Sequence, residues 1–117
     1  MIKLLFSVVI IVVGLQGCVQ KPATLYEWGG YQSSIYSYLV PSNEDAQAQI
    51  ASLEKTIDTA QSKDSRTAPG LHAHLALLYF NVGRDEEGVG HLLTEKQLFP
   101  EATEFVNFML EKQGLLP

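Results

Sequence analysis

Apolar residues recur every three or four positions through most of the chain between residues 50 and 109, and glycines or prolines interrupt the pattern at short intervals. This spacing lines one face of an α-helix, whereas a half-buried strand would show strict alternation. Each apolar stripe needs another element to cover it, and short connections place consecutive helices side by side. We therefore predict an all-α fold, a short antiparallel stack of about five helices, with no convincing strand.

The predicted helices begin and end at residues that favour or stop helix formation. We predict helices from about 28 to 39, 42 to 60, 70 to 82, 85 to 99 and 100 to 114. Ser42 is predicted to cap the second helix, Asp85 to cap the fourth, and Gly83 to end the third in the left-handed conformation. Two apolar stripes are predicted to face the core, one formed by Ile50, Leu53, Ile57 and Ala60, the other by Phe105, Phe108 and Met109.

The first twenty residues have the features of a secretory signal. Lys3 precedes an almost unbroken apolar run of about ten residues, too short for a spanning helix of about 20 residues, and a small residue follows the run. The stretch Leu15-Gln16-Gly17-Cys18 resembles the lipobox of bacterial lipoproteins, although Gln16 is a less usual choice at its position. The alternative is a plain signal peptide with a chance cysteine.

The lipobox resemblance implies a three-part chain. Residues 1–17 would be the lipoprotein signal peptide, residues 18–25 a lipidated tether carrying palmitate or another acyl chain on Cys18, and residues 26–117 the helical domain. Val19 stands where inner-membrane lipoproteins tend to have aspartate, which favours the periplasmic face of the outer membrane. Removing Lys3 takes the formal net charge from −5 to −6, so neither nucleic acid nor anionic lipid head groups are expected partners.

Residues 69 to 102 fit the 34-residue pattern of a tetratricopeptide repeat. The matching positions are Leu75, Ala76, Tyr79, Gly83, Gly88, Leu92 and Pro100. His72 departs from the pattern where a bulky residue is common, and Glu95 departs where alanine is common. A single repeat cannot cover its own apolar face, so the flanking helices are expected to pack on it. The alternative is an unrelated helical hairpin.

The stretch "YEWGGYQSSIYSYL", residues 26 to 39, holds four of the five tyrosines and the single tryptophan. One interpretation is that an aromatic stripe of Trp28, Tyr31, Ile35 and Tyr38 covers the open end of the stack. The other is that part of the stretch binds a protein partner, because aromatic side chains with wet hydroxyl groups are common in interfaces. The candidate partner-binding residues are Tyr26, Trp28, Tyr31, Tyr36, His72 and Tyr79, on the entry helix and the concave face of the third helix.

From Cys18 to about residue 113, the chain resembles small tetratricopeptide-like outer-membrane lipoproteins of uncharacterised function, which are encoded beside lipoproteins resembling the curli secretion channel. The shared features are the lipobox cysteine, the Tyr26-Glu27-Trp28-Gly29 entry with the tyrosines after it, the Pro69-Gly70-Leu71 helix start, and the segment from Glu95 to Glu101. The resemblance implies a non-catalytic accessory that binds an envelope complex, built around a curli-channel-like lipoprotein. The alternatives are a cell-wall-binding module or a passive structural envelope lipoprotein.

The sequence offers no arrangement typical of a catalytic, metal or cofactor site, and we expect none. His72 and His74 are two apart on a predicted helix and should point in different directions. His91 and Glu95 share a face and would make half of a metal site, but a tetrahedral site needs three or four ligands.

Overall fold

The computed structural model describes residue 1, residues 23–40 and residues 45–115. Within these residues the fold is mostly helical and confirms the predicted stack of five helices. The helices are α1 (Tyr31–Leu39), α2 (Ala46–Ser62), α3 (Leu71–Asn81), α4 (Asp85–Leu98) and α5 (Thr103–Lys112). Two short strands, β1 (Tyr26–Glu27) and β2 (Arg66–Thr67), and a 3-10 turn (Pro100–Ala102) complete the described structure.

The described residues also contain two short strands that the sequence did not indicate, β1 and β2, which pair in parallel. Tyr26 lies opposite Arg66, and Glu27 lies opposite Thr67. Strands of two residues are too short to show an alternating pattern in a sequence. The first helix begins at Tyr31 and not, as predicted, near residue 28. Gly29 has a positive φ of 41°, which a right-handed helix excludes, so the helix can begin only after it.

Asp45, and not Ser42, caps α2: its side chain accepts a hydrogen bond of 3.3 Å from the backbone nitrogen of Gln47. Ser42 itself lies outside the described residues. The apolar stripe predicted for this helix is confirmed. Ile50, Leu53 and Ala60 are buried, and Ile57 is half-buried.

The core consists of two clusters, and α3 lies between them. Between α2 and α3 pack Ile50, Leu53, Leu71, Leu75, Leu78 and Tyr79. On the other side of α3, towards α4 and α5, pack Ala73, Ala76, Leu92, Val106 and Leu110. Eight of the eleven residues of α3 are buried, so this helix is the centre of the stack.

The α3–α4 hairpin depends on two glycines. Gly83 has the predicted left-handed conformation, with φ at 74°, and ends α3. Gly88 is buried where α4 crosses α3, and a Cβ atom there would lie 2.4 Å from the ring of Phe80. The predicted cap at Asp85 was wrong, because Asp85 is already helical and Arg84 occupies the capping position without a side-chain cap bond.

The apolar face predicted for the last helix was also wrong in part. Val106 and Leu110 face the core, with Met109 packed beside them, whereas Phe105 and Phe108 are about half exposed. Residues 102, 106 and 110 recur at intervals of four, and this row faces α3 and α4. Phe105 lies about a quarter-turn from this row and Phe108 almost half a turn from it, so their size misled the assignment of the stripe.

Candidate functional site

Glu95 is almost fully buried, with 2% of its surface exposed, and its carboxylate caps the start of α3. Oε1 accepts a hydrogen bond of 2.6 Å from the backbone nitrogen of Gly70, and Oε2 accepts one of 3.3 Å from that of Ala73. Burial raises the pKa of the Glu95 carboxyl group, while these backbone hydrogen bonds act in the opposite direction. The carboxylate thus partners N–H groups that the first turn of a helix otherwise leaves unsatisfied.

His72 and His91 form a stacked pair between α3 and α4. Their Nδ1 atoms lie 2.9 Å apart, and the two ring centres lie 5.2 Å apart. Burial, with His91 as a second cause, lowers the pKa of His72 to about 4, and burial lowers the pKa of His91 as well. Both rings are therefore neutral at pH 7. One ring carries its proton on Nδ1, and this N–H donates a hydrogen bond to Nδ1 of the other ring.

Tyr79 extends this pair toward α2. Its ring stacks on His91 at 5.3 Å, its hydroxyl group donates a hydrogen bond to the Glu54 carboxylate, and the Arg84 guanidinium lies 4.6 Å from its ring centre. Burial, followed by the hydrogen bond to Glu54, raises the pKa of Tyr79 to about 12. The tyrosine position of the repeat pattern is thus occupied by a buried ring with a partnered hydroxyl group.

His74 takes part in a separate polar contact on the opposite side of α3. The Ser34 hydroxyl donates to Oε1 of Gln49 at 2.9 Å and lies 3.0 Å from Nε2 of His74. A hydroxyl group has one hydrogen, and here Gln49 receives it, so His74 must donate through its Nε2–H. This contact joins α1, α2 and α3 through three buried side chains.

The histidines have structural partners and do not converge on one point. His72 and His74 contact different neighbours, as their spacing predicts. His91 and Glu95, the predicted half-site for a metal, are engaged with His72 and with the start of α3 respectively. In the described ranges, no group of three or more histidine, cysteine, aspartate or glutamate side chains is arranged to hold a metal ion.

The entry segment exposes several large side chains around α1, and we call four of them together the aromatic patch. Its members are Trp28, Tyr36, Tyr38 and Leu39, with 40%, 67%, 44% and 73% of their surface exposed. Trp28 stacks on Tyr31 with ring centres 6.2 Å apart, and Tyr38 meets His74 edge to face at 5.4 Å. Tyr31 is half-buried against the core. Of the predicted covering stripe, Tyr31 packs against the core, whereas Trp28 and Tyr38 keep part of their surface exposed.

The other candidate partner-binding residues lie elsewhere. Tyr26 is half-buried in β1, where its ring contacts Trp28 and Phe99. His72 and Tyr79 are buried, at 6% and 2% exposure, because α2 and α4 cover the face of α3 that carries them. The expectation of an open concave face on the third helix is corrected, since neighbouring helices cover most of both side chains.

The fold and these contacts define a small helical domain whose buried polar groups serve packing. The chain belongs to the family described as a domain of unknown function (DUF4810), whose model matches residues 25–109. Neither the curated proteins nor the solved structures contain a match to this chain. Among the helices that the structure describes, none is both long and apolar enough to cross a membrane.

Sequence reasoning missed the roles of Ser34, Gln49 and Glu54, each of which bonds to a residue at least 15 positions away. Such contacts leave no local pattern. Glu95 was different. It stands where the repeat pattern commonly has alanine, so the sequence alone already singled out this position.

Proposed function

We propose that the protein is a lipoprotein, anchored through acylated Cys18 to the periplasmic face of the outer membrane. There it acts as a non-catalytic adaptor that binds an envelope protein complex. The proposed partner is a lipoprotein similar to the curli secretion channel. The proposal combines the lipobox and family resemblance of the sequence with one structural observation, the exposure of the aromatic patch.

The position of the aromatic patch in the chain supports this proposal. It begins only ten residues after Cys18, and a fully extended segment of residues 19–25 would span about 25 Å at most. An acyl anchor on Cys18 would therefore hold the patch within reach of other proteins at the same membrane surface. The net negative charge gives the domain no electrostatic attraction of its own to anionic head groups.

The chemistry of the aromatic patch also suits protein binding. Tryptophan and tyrosine are enriched at the centres of interfaces, and removing such an anchor typically costs about 2 kcal/mol or more of binding free energy. Tyr36 is the best candidate anchor, because two thirds of its surface is exposed although it lies in a regular helix. A cost of this size corresponds to a loss of affinity of about thirtyfold.

The proposal is tested by cross-linking and pull-down from native outer membranes, with all enriched proteins identified. Four forms are compared: wild type, Cys18→Ser, the double variant Trp28→Ala/Tyr36→Ala, and Leu93→Ala. Leu93 is the matched control, because it is 51% exposed on α4, outside the aromatic patch.

We expect the wild type and Leu93→Ala to enrich one channel-like envelope lipoprotein, and the patch variant and Cys18→Ser to lose it. Mass spectrometry should find acyl chains on Cys18 in the wild type. Equal enrichment by the patch variant would reject the aromatic patch as the docking surface. Recovery of peptidoglycan fragments in place of a protein would favour a cell-wall-binding module, and no specific recovery would favour a passive structural protein.

A further inference from the structure

A pocket of about 280 Å³ opens between α2, β2, α3 and α4, and none of its lining residues belongs to the aromatic patch. Its walls differ in chemistry. Ile57, Leu98 and Phe99 line it with apolar surface, and Arg66, Thr67 and His72 bring polar groups to it. Ligand pockets commonly have this composition, an apolar body with a few placed polar groups, and this volume is near the lower end of their range.

Arg66 brings a positive charge to the pocket wall. Neither of the two ion pairs formed within the described residues includes it. Its guanidinium lies 5.7 Å from the ring centre of Tyr26 and 5.5 Å from that of Phe99, and it donates one long hydrogen bond of 3.4 Å to the backbone oxygen of Leu98. The aromatic rings hold the guanidinium at the pocket wall and leave most of its hydrogen-bonding groups available.

Thr67 adds an independent observation at the same wall. Only 7% of the residue is exposed, and its hydroxyl group has no hydrogen-bond partner in the part of the chain that the structure describes. Buried hydroxyl groups in native proteins are nearly always paired, so a single exception requires an explanation. The hydroxyl oxygen is covered in this structure, so a ligand that accepts a hydrogen bond would become its partner after the Thr67 side chain rotates toward the pocket.

We propose that this pocket binds a small apolar carboxylate. Its apolar body lies against Ile57, Leu98 and Phe99, and its carboxylate accepts hydrogen bonds from the Arg66 guanidinium and the Thr67 hydroxyl. A monoanion matches Arg66, the one cation among the described residues that line the pocket, whereas a di- or triphosphate would need several. Lys63, the nearest cation in sequence, is paired with Glu27.

The same chemistry is offered by a free aliphatic acid and by the C-terminal residue of a polypeptide. The test uses the full chain in detergent, followed by NMR of the backbone amides. The probes are 4-methylpentanoate and N-acetyl-glycyl-leucine, each compared with its uncharged amide, which has the same apolar body and a similar tendency to enter micelles. The protein forms are wild type, Arg66→Gln, Thr67→Val and, as the matched control, Lys63→Gln.

We expect the acids to shift the amide signals of residues 57, 67 and 98, and to bind about tenfold more tightly than their amides, because a charge-assisted hydrogen bond is lost in the amides. Arg66→Gln should weaken acid binding by a similar factor, and Thr67→Val by about threefold, while Lys63→Gln leaves it unchanged. Tighter binding of the peptide acid would indicate a polypeptide terminus as the natural ligand, and tighter binding of 4-methylpentanoate a free acid.

Thermal unfolding without ligand gives a second readout. Valine has the shape of threonine without the hydroxyl group, so Thr67→Val should raise the Tm of the free protein although it weakens binding. A lowered Tm would show that the hydroxyl already has a partner and would overturn its assignment to the ligand. Equal binding of acid and amide, or unchanged acid binding by Arg66→Gln, would overturn the carboxylate site. None of these outcomes depends on whether the aromatic patch binds a protein.

Discussion

Oε1 of Glu95 lies 2.6 Å from the backbone nitrogen of Gly70, so a side chain of α4 caps the first turn of α3. The capping residue of α3 is itself a glycine, which has no side chain to accept the bond. A buried carboxylate from the neighbouring helix replaces it and joins the two helices of the hairpin. The same residue departs from the repeat pattern, which places alanine there.

Replacing Glu95 should therefore weaken the whole domain. Glu95→Ala leaves buried N–H groups of α3 without a partner and opens a cavity, so we expect the free energy of unfolding to fall by about 2–4 kcal/mol. Glu95→Gln keeps one oxygen acceptor and should lose about half as much. Urea unfolding followed by circular dichroism measures both. Gln97→Ala, at an exposed position of the same helix, is the control and should change stability little.

Gly88 and Gly90 form a matched pair that tests how closely α3 and α4 approach. A Cβ atom at Gly88 would lie 2.4 Å from the Phe80 ring, whereas one at Gly90 would have nothing within 4 Å. Gly88→Ala should lower the free energy of unfolding by about 1–3 kcal/mol through overpacking. Gly90→Ala should raise it by about 0.5–1 kcal/mol, because alanine favours the helix more than glycine does. Equal effects of the two changes in chemical unfolding would contradict the close approach.

The helical stack was predictable because burial follows the helical period directly. The stripe containing Ile50 and Leu53, and the helix end at Gly83, each depend on residues within one or two turns of each other. Phe105 and Phe108 show where this reasoning fails. Side-chain size alone does not say which of two adjacent helix faces meets the core.

The candidate sites were less predictable, because they combine residues that are distant in sequence. Arg66 and Phe99 meet at the pocket although 33 residues separate them, and their contact depends on the way β2 meets the end of α4. His72 and Tyr79 were expected at a binding surface because the sequence does not show that α2 and α4 cover them. The exposure of Tyr36 was predictable, since it lies off the stripe of Trp28, Tyr31, Ile35 and Tyr38.

The buried histidines should make the domain sensitive to acid. The pKa of His72 is about 4 in the folded protein and near 6.5 when exposed, so the unfolded state binds more protons between these values. Stability is therefore fully present above about pH 6.5 and is lost as the pH falls toward 4. His74 and His91 shift in the same direction, whereas the raised pKa of Glu95 partly opposes the loss.

For His72 alone we expect the free energy of unfolding to be about 2 kcal/mol lower at pH 5 than at pH 7. Urea unfolding across this range measures the slope, and His72→Gln should make it shallower. An NMR titration of the imidazole provides the direct check. If the His72 ring became charged near pH 6.5 in the folded protein, the acid sensitivity would need another source.

The Ser34 hydroxyl should control how firmly α1 is held on the stack. It is buried between Gln49 on α2 and His74 on α3, and it is the one buried residue of α1. Ser34→Ala leaves the Gln49 oxygen and the His74 Nε2–H without this partner, so we expect a loss of about 1–3 kcal/mol in the free energy of unfolding. Ser33→Ala is the matched control, because that hydroxyl is exposed and bonds to the nearby backbone oxygen of Gly30.

Hydrogen exchange distinguishes a local effect from a global one. If Ser34 holds α1 in place, Ser34→Ala should speed the exchange of the α1 amides more than that of the α3 amides, which lie in the core. Nitrogen NMR of the wild type should find the proton of His74 on Nε2, as the geometry requires. A proton on Nδ1 would reverse the direction of this hydrogen bond. Unchanged exchange in α1 would mean that Tyr31 and its neighbours hold the helix without the polar contact.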